Sequence, residues 1–565
     1  MLKSSLLLSS LAIGRAFGAD DASDSQTPRC ETSAFNNPTV PGVKILSLIA
    51  EPRHNHTIPH IIPAIPGVTD LNFCEVEIHL THPGTDDNVR IAVWLPFTAE
   101  SWNGRWQSTG GGGFTTGMFD FALGNPVKDG YAAGSTDGGH SSDGYGDISW
   151  ALKADKTINY NLLQNHGTRS LADMTQIGKI ITKQYYGIAP HHSYWNGCSQ
   201  GGRQGYMMAA QYPHLVDGIL ASAPALGLTD IVMANFHPNI VMKEAGFLMS
   251  QCEFNHFRKR LLDECDVFDG AKDGIIMDPE DCSFDPAALV GEKFDCDGTE
   301  TEVTQVMADI VRKIQEGPRT RFGGRIGYGY AYGTTMEWIA NITIKEDGQR
   351  EPQYLGMDSF IATLLVKDPT FNISTLSYSD YIALWAQANG EVEWLNGDRV
   401  PDLNVLRASG TKLLSWHGIA DPVIPYQISK TYRERMEAVM GGSSALDEYY
   451  RFFLVPGVEH CAGGNGAYPA KDMEQLVDWV EKGEAPRTLF AEKIDEEGEL
   501  VTRDLCRFPG KMKYLGIGDH KRASSWGCVG VDDSDDENLV DQADESFLGG
   551  LKDRLAGLGM GLKIN

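Results

Sequence analysis

The stretch Gly197-Cys198-Ser199-Gln200-Gly201 constrains this chain more than any other. A short strand-like run, His192 to Asn196, ends just before it. Arg203 to Gln211 follows with helical spacing and is stopped by Pro213. A serine held at a sharp strand-to-helix turn needs glycine two places before and two places after, because other chain segments approach where side chains would stand. Such a turn exposes the hydroxyl and aims the next amide, that of Gln200, outward, with the positive end of a helix behind it. The competing reading is a plain glycine-rich turn, and the flanking strand and helix argue against that.

The surroundings extend the pattern. Val76, Ile78 and Leu80 alternate, as do Val89, Ile91 and Val93, which predicts a strand pair joined by the polar turn Pro83 to Asp87. Tyr131 to Ser135 and Ile219 to Ala221 read as short buried strands, and Leu171 to Tyr186 as a helix with Ile177, Ile180 and Ile181 on one side. Strand and helix alternate, the signature of an α/β fold with a mainly parallel sheet. From about 227 to 401 the alternation is lost in a segment rich in Asp, Gly, Tyr and Trp, read as a large insertion over the sheet. It resumes at Lys412 to Trp416, at Tyr450 to Val455 and in the amphipathic helix Met473 to Trp479. Residues 19 to about 70 are polar and proline-rich and are expected to wrap the surface. The tail 529–565 holds the acidic run Asp532 to Glu537, read as a solvated linker, and a glycine-rich amphipathic end.

A nucleophilic serine of this kind needs a base and an acid that follow later strands, in the order Ser, Asp, His. His460 lies in a loop just after the strand ending at Val455, and Asp421 follows the strand Leu413 to Trp416. His520 has no such strand before it. His417 reads as a turn histidine and Asp402 as a boundary charge. The cysteines give a separate check, since Cys198 precedes the serine and Cys461 follows the histidine. If those two are bonded, their Cα atoms lie within about 7 Å and the bond sets Ser199 beside His460.

Bulk properties limit the partners. The formal net charge is −28, which repels nucleic acid and anionic membranes. Lys3, the apolar run Leu6 to Ile13 and the small residues at Ala16 and Gly18 predict a secretory leader at 1–18, too short to span a bilayer. The ten cysteines suit an oxidising compartment. Asn55, Asn341 and Asn372 begin N-x-S/T sequons, the acceptor pattern for glycosylation.

The motifs at Gly197–Gly202, His417–Pro422 and Pro456–Cys461 together resemble the tannase and feruloyl esterase family, which carries a CS–D–HC arrangement. Trp102 to Arg105, the glycine run Gly110 to Gly113 and Thr136 to His140 share the likeness, which extends over roughly residues 70–528. The resemblance implies an α/β-hydrolase fold, formed discontinuously by 19–226 and 402–528, with 227–401 as a lid domain. It implies a secreted serine esterase acting on aromatic carboxylic esters: Ser199 as nucleophile, His460 as general base, Asp421 as its orienting acid, and the N–H groups of Gln200 and of Gly112 or Gly113 facing the oxyanion. The glycine run otherwise reads as a flexible turn. Cys265 with Cys282, Cys506 with Cys528, and Cys30 with Cys74 are expected to pair, leaving Cys252 with Cys296.

The loop Cys265 to Ile275 places aspartates at 266, 269 and 273, enough oxygen to wrap a hard cation, although a solvated acidic turn has the same composition. Family members bind calcium in such a lid loop. That likeness implies a structural Ca²⁺ held by side chains of Asp266, Asp269 and Asp273 and carbonyls of Ala271 and Ile275. No organic cofactor is expected. The leading expectation for substrate is a feruloyl or other hydroxycinnamoyl ester of plant cell wall polysaccharide such as xylan. Galloyl esters, as for a tannase, are the near alternative, with other aromatic esters, including terephthalate monoesters, behind them. A serine peptidase shares the triad, and a non-catalytic secreted binding protein on the same scaffold is the alternative of another class. Tyr328, Tyr330, Tyr332, Trp338 and Trp385 in the insertion read either as core or as ring-stacking residues.

Overall fold

Alternation in the strand pair works as expected. In the computed structural model, which describes residues 29–60, 66–140, 144–296 and 298–530, Val76 lies opposite Val93, Ile78 opposite Ile91 and Leu80 opposite Val89. All six are fully buried on one face. The expected leader and the acidic run Asp532 to Glu537 lie outside the described residues.

Nine strands form one mixed sheet: β1 Lys44–Ile58, β2 Val68–Thr81, β3 Val89–Pro96, β4 Arg105–Thr109, β5 Ala132–Thr136, β6 His192–Cys198, β7 Gly218–Ser222, β8 Lys412–Gly418 and β9 Tyr450–Val455. Their spatial order is β1-β2-β3-β5-β4-β6-β7-β8-β9. The first three strands and β5 pair antiparallel; from β5 to β9 every pairing is parallel.

β1 corrects the expectation that residues 19 to about 70 only wrap the surface. It is an edge strand, so most of its side chains face water and the run Glu51 to His56 carries no apolar alternation to read. Pro52 is tolerated there because an edge strand need not donate on its open side. Arg53 Nε donates to Glu75 Oε2 on β2 at 2.6 Å.

Consecutive residues of the parallel strands go to opposite faces. Trp195, Ile219, Leu413 and Phe452 join one apolar cluster; their neighbours Tyr194, Leu220, Leu414 and Phe453 join another. The sheet therefore needs helices on both sides. Helices α1 Asp120–Lys128, α2 Ser170–Tyr186 and α3 Gln200–Gln211 precede the insertion, and α2 and α3 cover the first face with Ile177, Ile181, Tyr206 and Met208. The insertion begins with α4 Leu228–Ala245, buried almost all round, and α5 Gln251–Cys265. Its apolar residues form clusters of their own, one of which takes in Phe114, Ile148 and Leu163 from the connections that follow β4 and β5. After β8, α6 Gln427–Met440 returns to the first face, while α7 Asp472–Lys482 buries Leu476 and Trp479 on the second.

All ten cysteines are paired: Cys30–Cys74, Cys198–Cys461, Cys252–Cys296, Cys265–Cys282 and Cys506–Cys528. An ion pair spans a longer stretch still. Arg105 Nε and Nη2 grip Glu481 at 2.6 and 2.8 Å and so tie β4 to α7.

Candidate active site

The parallel strands deliver chemistry at their C-terminal ends, where α/β sheets place their sites. β6 stops at Cys198 and α3 starts at Gln200; Ser199 is the joint, with φ +61° and ψ −120°. That backbone is unfavourable for a side-chain-bearing residue and persists only where neighbours fix it. Ser199 N–H donates to Ser222 O, and Ser199 O accepts from Arg203 N–H and Ala225 N–H, each at 3.0 Å. The glycines make room. A Cβ on Gly197 would fall 2.5 Å from Gly201 C, and one on Gly110 would fall 2.4 Å from Gly201 Cα.

A buried polar bracket sits under the turn, and the sequence did not disclose it. Gln200 Oε1 accepts from Arg203 Nε at 2.8 Å, so its Nε2 faces His166 Nε2 as a donor at 2.7 Å. Burial holds His166 well below the ordinary imidazole range. The neutral ring then donates from Nδ1 to Thr116 Oγ1 at 3.1 Å, and Thr116 in turn reaches His140 Nε2 at 2.8 Å. Arg203 is fully buried and also donates to the carbonyls of Leu395 and His166.

Asp421 follows β8 and His460 follows β9. Asp421 Oδ1 accepts the N–H groups of Val423 and Ile424, both at 2.8 Å, and His460 Nδ1 lies 2.7 Å from Oδ2. Burial alone would raise this carboxyl, but the facing His460 and His417 imidazoles overcome it and hold it well below the usual carboxylate range. A carboxylate on Nδ1 leaves Nε2 as the basic nitrogen, the tautomer a general base requires. The Cys198–Cys461 bond, with Cα atoms 5.9 Å apart, joins the serine turn to the histidine loop across 263 residues of sequence.

Ser199, Gln200 and His460 open onto one cavity of about 480 Å³. Its walls come from three separate stretches: Met118, Phe121 and Tyr145; Leu228, Ile231, Val232, Trp338 and Leu355 of the insertion; and Val423 with Ile424. Among the described residues lining it there is no Asp, Glu, Lys or Arg. Of the five insertion aromatics singled out from sequence, Trp338 alone lines the cavity; Tyr330 and Trp385 are core. Gly112 and Gly113 also border it. The N–H of Gly110 is spent on Asn196 O and that of Gly111 on Gln204 Oε1, whereas Gly112 N–H makes only a long 3.3 Å bond to Thr115 Oγ1.

The three loop aspartates play unequal parts. Asp266 closes the loop on itself, its Oδ1 accepting from Asp273 and Ile275 N–H and its Oδ2 from Gly274 N–H. Asp269 Oδ2 and Asp273 Oδ1 are buried without a hydrogen-bond partner. Burial pushes the Asp269 carboxyl up to about 7 and raises that of Asp273, whose Oδ2 accepts from Arg503 Nη2 at 3.0 Å. Two orphaned carboxylate oxygens, beside the single guanidinium contact from Arg503, are what a hard oxygen-seeking ion would satisfy. The loop is distant from His460 in sequence but not in space. Gly274 O accepts from Asn465 Nδ2, and Ile275 packs so closely on Gly457 that a Cβ there would lie 2.9 Å from Ile275 Cγ1. Elsewhere His191, His192 and Glu481 converge, but Glu481 is already spent on Arg105 and on Tyr194. Of the sequon asparagines, Asn55 and Asn372 are exposed and Asn341 is half-buried. Among the described residues no helix is long and apolar enough to cross a membrane.

A family model described as "Tannase and feruloyl esterase" matches residues 74–529. A "Probable feruloyl esterase" of Arthroderma benhamiae is 40% identical over 529 residues, covering 93% of this chain and 98% of its own. A "Probable feruloyl esterase B" of Aspergillus niger is 28% identical over 81% of this chain and 87% of its own. Among solved structures, a "Tannin acyl hydrolase from Aspergillus niger" superposes with a TM-score of 0.79 at 26% identity, covering 89% of this chain and 95% of that one.

Proposed function

The chain belongs to the tannase and feruloyl esterase family, and from that premise we propose a serine carboxylic ester hydrolase that releases hydroxycinnamic acids, ferulic acid first, from esters of plant cell wall polysaccharide. One observation carries the reading: Ser199 on its strained turn and His460, backed by the buried Asp421, open together onto a cavity whose described walls are largely apolar and include no Asp, Glu, Lys or Arg. A feruloyl ring brings a methoxy group and a single hydroxyl. A galloyl ring brings three hydroxyls, and each one buried without a partner costs about 1–3 kcal/mol.

In this reading the molecule is an α/β-hydrolase with 227–401 as a lid that supplies one wall of the acyl pocket. His460 Nε2 takes the proton of Ser199 Oγ as the oxygen attacks the ester carbonyl carbon. The tetrahedral oxyanion is met by Gln200 N–H and by an N–H of Gly112 or Gly113. His460 returns the proton to the departing alkoxide, and a water molecule deprotonated by the same nitrogen then cleaves the acyl-enzyme, freeing the acid and Ser199. Asp421 holds the ring in the required tautomer and faces the imidazolium formed in each half-reaction.

A calcium ion fits the loop of Asp266, Asp269 and Asp273, with carbonyls of Ala271 and Ile275 completing the set. When bound it supplies positive charge that ties the loop's oxygens together. The five disulfides and the expected leader support an extracellular protein, with Asn55, Asn341 and Asn372 as glycan acceptors.

The test compares methyl ferulate, methyl gallate and a peptide substrate, together with labelling by a fluorophosphonate probe. The expected result is kcat/KM at least about tenfold higher for ferulate than for gallate, labelling at Ser199, and loss of at least about a thousandfold in kcat for Ser199→Ala. Faster turnover of gallate makes the enzyme a tannase. An unlabelled Ser199 with no turnover returns the chain to the class of binding proteins.

A further inference from the structure

We propose that His417 is a positioning residue for Asp421, giving the carboxylate a second imidazole donor beside His460. The proposal rests on the reading of Ser199, His460 and Asp421 as the reacting triad. Its ground is a ring that the sequence presents only as part of a turn. The His417 side chain is fully buried, and an imidazole taken out of water is costly unless both nitrogens find partners. Nε2 lies 3.2 Å from Ile424 O and 3.3 Å from Asp421 Oδ2. Both oxygens can only accept, so Nε2 carries the hydrogen. Nδ1 lies 2.8 Å from Ser429 Oγ in the first turn of α6, within hydrogen-bond distance. One ring therefore satisfies Ser429, Ile424 and Asp421 at once.

The geometry leaves Asp421 no freedom. Oδ1 is held by two backbone N–H groups, and Oδ2 is shared by two imidazoles. The same Nε2–H draws in Ile424 O, so the loop from Asp421 to Ile424, which forms part of the cavity wall, is tied to β8. Two consequences follow for His460. Its partner oxygen keeps a fixed direction, and that oxygen is less negative than one bonded to His460 alone. Without His417 the carboxylate would hold the His460 imidazolium more strongly, and the acid limb of the pH–rate profile would move to higher pH. Tyr330 and Glu459 also interact electrostatically with Asp421, and they are common to every variant below.

His417→Leu removes the donor, His417→Gln keeps an N–H near the same place, and Ser429→Ala removes the partner that holds Nδ1 and so orients the ring. All three are assayed on methyl ferulate for kcat, KM and the pH profile of kcat/KM. For His417→Leu we expect kcat to fall about fiftyfold with KM within about twofold, and the acid limb to rise by about half a unit. His417→Gln is expected to stay within about fivefold of the parent with its limb unmoved, and Ser429→Ala to lose about five- to tenfold in kcat. A His417→Leu enzyme within twofold of the parent overturns the proposal. So does equal loss in the Leu and Gln variants with neither limb moved, since that is the mark of packing alone. If His417→Leu gives no folded protein, the other two decide, and a Ser429→Ala enzyme with unchanged kcat overturns it. Failure of the triad reading itself would appear elsewhere, as a Ser199→Ala enzyme that still turns over.

Discussion

At Gly110 one added methyl carbon would come within 2.4 Å of Gly201 Cα and 2.9 Å of Gln204 Oε1. Neither backbone can yield without turning Ser199, whose own carbonyl is bonded into the same helix start. Gly110→Ala is therefore expected to lower kcat/KM about a hundredfold, the loss typical of a displacement near 1 Å, with little change in far-ultraviolet circular dichroism. Arg203 poses a different question, because the guanidinium is fully buried and donates to Gln200 Oε1 and two carbonyls. Lysine keeps the charge but not the fork, so Arg203→Lys should lose about 2–4 kcal/mol in urea unfolding from carbonyls left unpaired. At this scale the sequence was legible where a residue carries its context in adjacent letters: Ser199 between its glycines, His460 and Asp421 each just past an apolar strand. It was illegible where the partner is set by the way the chain folds back rather than by the adjacent letters. Nothing near His166 marks it as the residue that holds the Gln200 side chain, and nothing in His417-Gly418 announces that the ring turns back on Asp421.

Among the elements, the acidic loop and the histidine loop behave as one unit, because Ile275 and Gly274 brace the segment from Gly457 to Asn465. Chelation with EGTA is expected to lower the melting temperature by on the order of 5 °C, with recovery on adding Ca²⁺ but not Mg²⁺. In Asp269→Asn the melting temperature should no longer respond to either. An EGTA-insensitive parent would make the loop an ordinary acidic turn. The strap between β4 and α7 predicts a pH effect. Arg105 first, and Tyr194 after it, hold the Glu481 carboxyl down at about 2 against an ordinary value of 4.5. A folded-state value below the unfolded one stabilises above pH 4.5 and is lost as pH falls toward 2. Glu481→Gln should thus be less stable than the parent by about 1 kcal/mol at pH 7, after allowance for solvent screening, and the gap should close by about pH 2. Buried strands were readable from their alternation. β1 was not, since an edge strand facing water on most of its length has no pattern to show.

Taken whole, the molecule in the proposed reading separates what reacts from what selects. The serine, histidine and aspartate come from strands of the sheet, while Leu228, Ile231, Trp338 and Leu355 bring the insertion into the cavity wall. That insertion could be read as an interruption of the α/β rhythm, but its inner surface could not, because which of its aromatics face the cavity depends on packing between clusters remote in sequence. Exchange of Trp338 or Leu355 should alter the preference among acyl groups, read as the ferulate-to-gallate ratio of kcat/KM, while Ser199 labelling by a small fluorophosphonate stays within about threefold. The cysteines show a similar division. Four bonds close short spans of 17 to 44 residues, and one closes 263. As the chain is synthesised, Cys198 emerges long before its partner, and Cys252, Cys265, Cys282 and Cys296 pass by in the meantime. The bond that sets Ser199 beside His460 therefore cannot close until synthesis has passed Cys461, after all four of those thiols have been made.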